Sequence, residues 1–543
     1  MICTLFAGVS AANLASSPMK AARSRRIALI ACLLGLAFTA FYAGTSRGTF
    51  VFGDDILMYQ VTQAIWDRGE VTVTSPSRRG DVAKAVLGRD RQRFAKYGLG
   101  PSLVALPFYG ASHELFDRLE LTPFVDGFGN ERTGTTVFGT GLTNAALGGA
   151  TVAVTFLLAV ELGFPLLVAL MTAICLGSAT LLAHYSSTFL SEPLSALCLA
   201  GAVLGLLKVG KKDSVKGEWP DRWWLAVSGF AAGLAVATKV AHIVLVVPIL
   251  VWAAVLGWRR ERARGLAVHT LYWSFFFSCW LCVVAGYNWV RFGRVISTGY
   301  GGEAGMFSTA PEVGLAGLLA SPARGVFWYC PVLFLAAAGA LAFWRRHRAC
   351  ALTILTASAG WLLLISRYYQ WYGGGCWGPR FLVPLLPLSI LPAAEIFARW
   401  RRGRGWQTAI VLVVGASLVT TAAALLVPFD GVGQPLSASQ AEFEARAWTV
   451  AESPLLRSLA YVPEGVVVTA AKLSGRMAIR DEKAANSSLQ FPDFAFVRYG
   501  SHALLNWTRG SFLLAALALA VAIGLAKGAG GSAQKALLSS PPQ

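Results

Sequence analysis

Charge is scarce in this chain. Only 14% of its 543 residues are Asp, Glu, Lys or Arg, whereas a soluble domain carries about 25%. With 55% hydrophobic residues and a mean hydropathy of +0.56, that excludes an ordinary soluble enzyme and leaves an integral membrane protein. Acids are the scarcer charge, 28 against 47 bases, for a net charge of +19. A nucleic-acid binder would gather such an excess on one soluble face. Here the bases fall in short clusters between apolar runs, the pattern of loops on the cytoplasmic side of a membrane. Cysteine is too sparse and scattered for a disulfide framework. Most of the nine sit inside apolar runs (Cys32, Cys175, Cys198, Cys279, Cys282, Cys330, Cys350). Cys279 and Cys282 form a CxxC within YWSFFFSCWLCVVAGY, without a metal partner, and read as small hydrophobes on a helix. Cys376 alone reads as a thiol in a polar outer loop.

What the chain has in abundance is long apolar runs. Twelve can cross about 30 Å of hydrocarbon. They lie near 27–45, 136–160, 164–183, 193–208, 223–239, 241–258, 268–290, 326–344, 349–366, 381–398, 406–428 and 511–526. With the N-terminus inside, every short basic cluster takes the cytoplasmic side: Lys20, Arg23, Arg25 and Arg26; Lys208, Lys211, Lys212, Lys216 and Arg222; Arg259, Arg260, Arg262 and Arg264; Arg345, Arg346 and Arg348; Arg399, Arg401, Arg402 and Arg404; and Lys527. The first run lacks a clear cleavage site and reads as a retained anchor.

The polar segments 46–135, 184–192, 291–325, 367–380 and 429–510 then face outward. Within the first of these, GLGPSLVALPFYGASHELF is broken by Gly and Pro and reads as interfacial. The expected organisation is a cytoplasmic segment 1–26, a transmembrane module 27–428, an outer region 429–510 of mixed structure, a last span 511–526 and a disordered cytoplasmic tail 527–543. The region 429–510 includes an asparagine sequon at Asn486, and a second follows at Asn506. The fold expected is an all-α polytopic bundle in the cytoplasmic (inner) membrane, with both termini inside.

The stretch VFGDDILMYQVTQAIWDRGE (51–70) places two adjacent acids, Asp54 and Asp55, just past the first span. Leu57, Val61, Ala64 and Ile65 recur at helical spacing, so the pair opens an amphipathic helix expected against the outer leaflet. Acids at a helix start ordinarily cap it and complement its dipole. The sharper alternative makes one carboxylate a general base, or a ligand for a metal ion, at the membrane surface.

With that pair, the stretches YGLGPSLVALPFYG (97–110), STFLSEPLSAL (187–197), YNWVRFGRVISTGYGG (287–302), SPARGVFWYCPVLFL (321–335) and WYGGGCWGPRFLVPLLPL (371–388) resemble the GT-C membrane glycosyltransferases. These include the protein O-mannosyltransferases and the aminoarabinose transferases that modify lipid A. The last three stretches closely resemble a bacterial branch described as phospholipid-carrier-dependent glycosyltransferases, and the similarity runs through about residue 400. The resemblance implies a GT-C bundle of about 12 spans with juxtamembrane helices in the first outer loop. It also implies inverting transfer of a sugar from a polyprenyl-phosphate donor to an outward-facing lipid, glycan or protein.

By resemblance the base is Asp55 or Asp54, with Asp55 preferred. Arg380 is the first choice for the donor phosphate, because arginine grips phosphate bidentately and Gly373–Gly375 permit close approach; its plainer role is an anchor at the head of a span. Arg324, Lys96 and Lys239 are further phosphate candidates, and Arg291 is a weaker one. Tyr59, Tyr97, Glu192, His184, Trp371 and Trp377 are candidates for contacting substrate. Against this, Glu192 suits a helix start, a lone His184 suits packing, and the tryptophans suit an interfacial belt. No ligand set for Mg²⁺ or Mn²⁺ is apparent beyond Asp54 and Asp55, and whether either ion takes part stays open. A transporter or flippase, the alternative from another class, would carry polar groups near the bilayer midplane; here the span cores are nearly free of charge. A ligase or polymerase using a diphosphate-linked donor is the nearer alternative.

Overall fold

The computed structural model describes residues 18–50, 53–73, 85–115, 121–125, 131–210, 219–300, 303–428, 440–479 and 491–538. Lys211, Lys212, Lys216 and Asn486 lie outside the described residues. In chain order the helices are α1 (Pro18–Gly44), α2 (Gly53–Arg68), α3 (Gly100–Leu115), α4 (Gly134–Glu161), α5 (Leu166–Ser178), α6 (Leu181–Ser186) and α7 (Glu192–Val209). There follow α8 (Trp219–Thr238), α9 (Ile243–Phe292), α10 (Pro311–Ala320), α11 (Val326–Tyr329), α12 (Leu333–Arg346), α13 (Arg348–Arg367), α14 (Leu386–Ser389), α15 (Ala393–Phe397) and α16 (Arg404–Leu426). The chain closes with α17 (Gln440–Arg446), α18 (Pro454–Ala460), α19 (Val462–Leu473), α20 (Ala495–Tyr499) and α21 (His502–Leu538). Two short antiparallel ladders in the first loop, Ala85–Leu87 with Arg93–Ala95 and Phe124–Val125 with Glu131–Arg132, interrupt an otherwise helical chain.

Each of the twelve expected spans meets helix, but by length and apolarity seven of the described helices can cross a membrane, or eight if one bent pair counts as a span. The physical reasons are local. The sixth and seventh expected spans form the single element α9, broken at Glu261 (φ −136°) and Arg262 (φ 52°). Its two legs touch at Gly257 and Gly265, where a Cβ on Gly257 would lie 2.2 Å from the Gly265 carbonyl oxygen. The runs 164–183 and 326–344 are each divided in two, as α5 with α6 and α11 with α12. In 381–398, Pro384, Pro387 and Pro392 offer no N–H to a helical ladder, so Arg380–Ser389 and Ala393–Arg402 meet at a 49° bend. The helix α21 continues to Leu538, through most of the segment expected to be a disordered tail; its QKALL ending is rich in good helix formers.

Contacts sort the turns into two ends of the bundle. At one end Lys208 pairs with Glu161, Arg260 donates to the Val209 carbonyl, Arg346 meets Glu395 at 3.2 Å and Phe164 packs on His347. At the other, Thr45 bonds Ser187 at 2.8 Å and the Tyr185 hydroxyl donates to Trp377 O at 2.6 Å. The basic turns at Lys208, Arg259–Arg264 and Arg345–Arg348 thus fall at one end, as the sequence division has them. At the end opposite them α21 packs along α1, and the 491–500 segment straps the loop after α1. Ala495 N donates to Ser46 O (2.8 Å) and the Tyr499 hydroxyl to Gly48 O (2.8 Å).

Candidate active site

The helix carrying the acidic pair is embedded rather than lying on a surface. From Asp54 to Thr62 every residue of α2 is buried, Asp54 at 8% and Asp55 at 1% exposure. The expectation of an amphipathic helix at the leaflet surface is thereby overturned. Two of its polar side chains reach neighbouring helices: the Thr62 hydroxyl donates to Ser102 O on α3 (3.2 Å), and the Tyr59 hydroxyl bonds Thr136 on α4 (2.7 Å).

The two acids differ in what they touch. Asp55 Oδ1 accepts the Ile56 backbone N–H at 2.7 Å, a contact within its own helix start. Asp54 reaches across the fold. Its Oδ1 accepts the Tyr97 hydroxyl at 2.6 Å, and its Oδ2 lies 3.0 Å from Arg380 Nη1, a partner 326 residues away in sequence. Both side chains of this ion pair are 12% exposed. Burial first, and the Asp54 carboxylate next, hold the Tyr97 phenol well above its ordinary pKa, so it stays a hydrogen-bond donor.

Arg380 opens a short 3₁₀ turn, Arg380–Leu385, after the Gly-rich loop. Gly373 has φ +82°, and a Cβ there would sit 2.9 Å from Arg380 Cγ. Replacing Gly373 by alanine combines backbone strain of about 1–2 kcal/mol with displacement of the arginine stem. The variant is expected to lose about 1–2 kcal/mol of stability, and melting curves of G373A beside wild type check it.

Two small cavities flank the pair and share Lys239. One is lined by Lys96, Tyr97, Lys239, Arg291 and Tyr300, among others. The other is lined by Ser191, Glu192, Ser195, Lys239 and His242 against Trp361 and Phe381. Lys239 Nζ lies 4.5 Å and the Arg380 guanidinium 4.9 Å from the centre of the Phe381 ring. Lys96 Nζ sits 5.0 Å from the Tyr300 ring. Glu192 is 3% exposed and its Oε2 has no hydrogen-bond partner. Lys96, Lys239, Tyr97, Tyr300 and Glu192 thus line two narrow polar clefts that Tyr97 joins to the Asp54–Arg380 pair.

The other sequence candidates take different places. Arg291 is buried, donating to Ala95 O (2.5 Å) and Asn288 Oδ1 (2.7 Å), and it braces the first loop. Arg324 is fully buried behind the Gly-rich loop, donating to Gly374 O at 3.0 Å while its Nε and Nη1 have no partner. Trp371 and Trp377 are 1% and 2% exposed, so they are neither a belt nor open faces for a sugar. Trp371 Nε1 donates to Glu444 (3.3 Å), and Trp377 packs on Tyr329 and His184. His184 itself is buried with Nδ1 3.1 Å from Ala424 O. Cys376, expected in a polar loop, is 2% exposed. Sequence reading missed Tyr300, though it ends the quoted ISTGY run, and Phe443, which stacks on Tyr372 at 3.8 Å from the far side of the chain. No local pattern announces that second contact.

Among the described residues no group of three or more His, Cys, Asp or Glu side chains converges. The Asp54 oxygens already meet Tyr97 and Arg380, so this donor set does not fit a divalent ion.

Residues 94–293 match the family model of the dolichyl-phosphate-mannose-protein mannosyltransferases. Among solved structures the chain is similar to ArnT from Cupriavidus metallidurans bound to undecaprenyl phosphate, with a TM-score of 0.51 and 15% identity over 91% of this chain and 76% of that one. The apo state of the same protein gives a TM-score of 0.49 at 16% identity, over 93% and 77%. The S. cerevisiae protein O-mannosyltransferase Pmt1–Pmt2 complex bound to the sugar donor gives 0.34 at 16% identity, over 53% and 36%. No curated protein matches the chain. The likeness to ArnT establishes the architecture: this is an all-α polytopic membrane protein with the GT-C fold.

Proposed function

We propose that this GT-C-fold chain is a membrane glycosyltransferase that moves a sugar from a polyprenyl-phosphate donor to a hydroxyl acceptor at the face opposite the basic turns. The observation that carries the reading is the Asp54–Arg380 pair, 3.0 Å apart, beside a cavity walled by Lys96 and Lys239. Family-model similarity over 94–293 and the ArnT fold support it.

Asp54 is the proposed base. Its carboxylate reaches beyond its own helix to Tyr97 and Arg380. Lys96, Lys239 and Arg380 receive the donor phosphate, and Glu192 with Ser191 and Ser195 accepts and donates hydrogen bonds to sugar hydroxyls. In the transfer the acceptor oxygen attacks the anomeric carbon and its proton passes to Asp54. The carbon–oxygen bond to the phosphate breaks with its electron pair leaving on the phosphate. Fixed cations around that oxygen stabilise the developing charge without reorganisation.

The deciding experiment supplies purified protein in lipid nanodiscs with radiolabelled polyprenyl-phosphate sugar and a membrane extract as acceptor source. Covalently labelled acceptor is the expected product. Uptake of label into sealed vesicles without covalent transfer would replace the enzyme with a transporter. No metal step enters this chemistry, so EDTA is expected to leave the initial rate within about twofold; collapse of the rate, restored by Mg²⁺ or Mn²⁺, would refute that.

A further inference from the structure

Arg380 has one guanidinium and two claims on it. Its Nη1 is held by Asp54 Oδ2 at 3.0 Å, yet the donor phosphate needs the same group. The conflict is over charge rather than over donors, because a carboxylate locked to a guanidinium is a weakened base and must be freed to take a proton. Asp54 does not depend on Arg380 for its position, since the Tyr97 hydroxyl holds the other oxygen at 2.6 Å. Arg380 also has unused capacity: its Nε is buried without a hydrogen-bond partner. Lys239 stands on the same Phe381 ring and walls the cavity where Lys96 and Tyr97 also lie.

Resting on the reading of the site as a polyprenyl-phosphate sugar transferase, we propose that Arg380 exchanges anions during the reaction, leaving Asp54 for the departing phosphate. Before transfer, the guanidinium neutralises the Asp54 carboxylate. As the bond from anomeric carbon to phosphate oxygen breaks, the phosphate takes the electron pair and gains a negative charge. As the acceptor oxygen bonds that carbon, its proton moves to Asp54 and removes a negative charge there. The charge of the site is unchanged, and no buried ion is left alone at either stage, which is the condition a buried pair must meet. Tyr97 keeps Asp54 in place while its ionic partner leaves. Arg380 is thus both the restraint on the base and the receiver of the leaving group, and the two functions alternate.

The exchange has a counter-intuitive signature: disabling the base should improve product binding. With full-length protein in nanodiscs and undecaprenyl phosphate as the probe, Asp54→Asn is expected to bind at least about tenfold more tightly than wild type, or about 1.4 kcal/mol, while transfer collapses. In an Arg380→Gln background the same Asp54→Asn change should give no gain, which is the coupling a double-mutant cycle reads. Unchanged or weaker binding by Asp54→Asn, with a wild-type melting curve, would overturn the exchange and leave the transferase reading standing. A gain that persists without Arg380 would also overturn it, since the effect would then be a general loss of negative charge. If wild-type protein binds no undecaprenyl phosphate, the donor reading itself fails and the exchange goes with it.

Discussion

Asp54→Asn is expected to lower sugar transfer by about 10²–10⁴-fold, the usual contribution of a positioned base. Asparagine keeps the size of the side chain and an oxygen for the Tyr97 hydroxyl, but it can take no proton. Asp55→Asn is expected to do far less. Its Oδ1 accepts the Ile56 N–H in the first turn of α2, and weakening one such hydrogen bond is worth about 1 kcal/mol of stability. Initial rates of the two variants, with melting temperatures to control for folding, separate these roles. Near-normal transfer by Asp54→Asn, or collapse in Asp55→Asn alone, would move the base from one position to the other. Sequence preferred Asp55, and no local feature distinguishes two neighbouring acids. The difference comes from Tyr97 and Arg380, which lie 43 and 326 residues away.

The largest structural effect is expected from Asp493→Ala. Asp493 is 2% exposed at its side chain and pairs with Arg47, itself 4% exposed, at 3.0 Å; Arg498 binds its other oxygen. Removing the acid leaves the Arg47 cation buried without its counter-ion, a change of about 3–5 kcal/mol in destabilisation. The same acid fastens the 491–500 strap to the loop between α1 and α2, so transfer should fall along with stability. Arg47→Ala should be milder, because Arg498 still compensates Asp493.

The pair also sets an acid limit. Burial alone would raise the Asp493 pKa, but Arg47 and Arg498 outweigh it and hold the carboxyl below its usual range. A depressed folded-state pKa contributes stability that is present above the unfolded value of about 3.9 and lost as pH falls through the folded value. Thermal scans in detergent should therefore show the wild-type advantage over Asp493→Ala intact at neutral pH and shrinking below about pH 4. A Tm for Asp493→Ala equal to wild type at pH 7 would show that the strap is held by other means.

Much of the architecture was legible because membrane folding leaves strong marks in composition. Apolar runs of about 20 residues and basic turns are local properties of the chain, and the contacts Lys208–Glu161 and Arg346–Glu395 gather those turns at one end as expected. Span boundaries were less legible. The kink at Arg262 and the bend at Pro384–Pro392 depend on backbone geometry that hydropathy averages away. The reading of α2 as amphipathic failed for a related reason. Periodicity reports which residues are polar, but not whether water or a neighbouring helix satisfies them; here Ser102 and Thr136 do.

By itself the sequence determined a multi-pass helical protein with short basic clusters between its apolar runs, and it named Asp54, Lys96, Tyr97, Glu192, Lys239 and Arg380 singly as candidates. Only the tertiary structure decided which of these meet. It joined Asp54 to Tyr97 and Arg380, set Lys239 between two cavities, and withdrew Trp371, Trp377 and His184 into the packing. The reason is that hydropathy and charge placement are summed along a chain, whereas an ion pair requires two atoms within about 4 Å, a condition fixed by how separate helices pack.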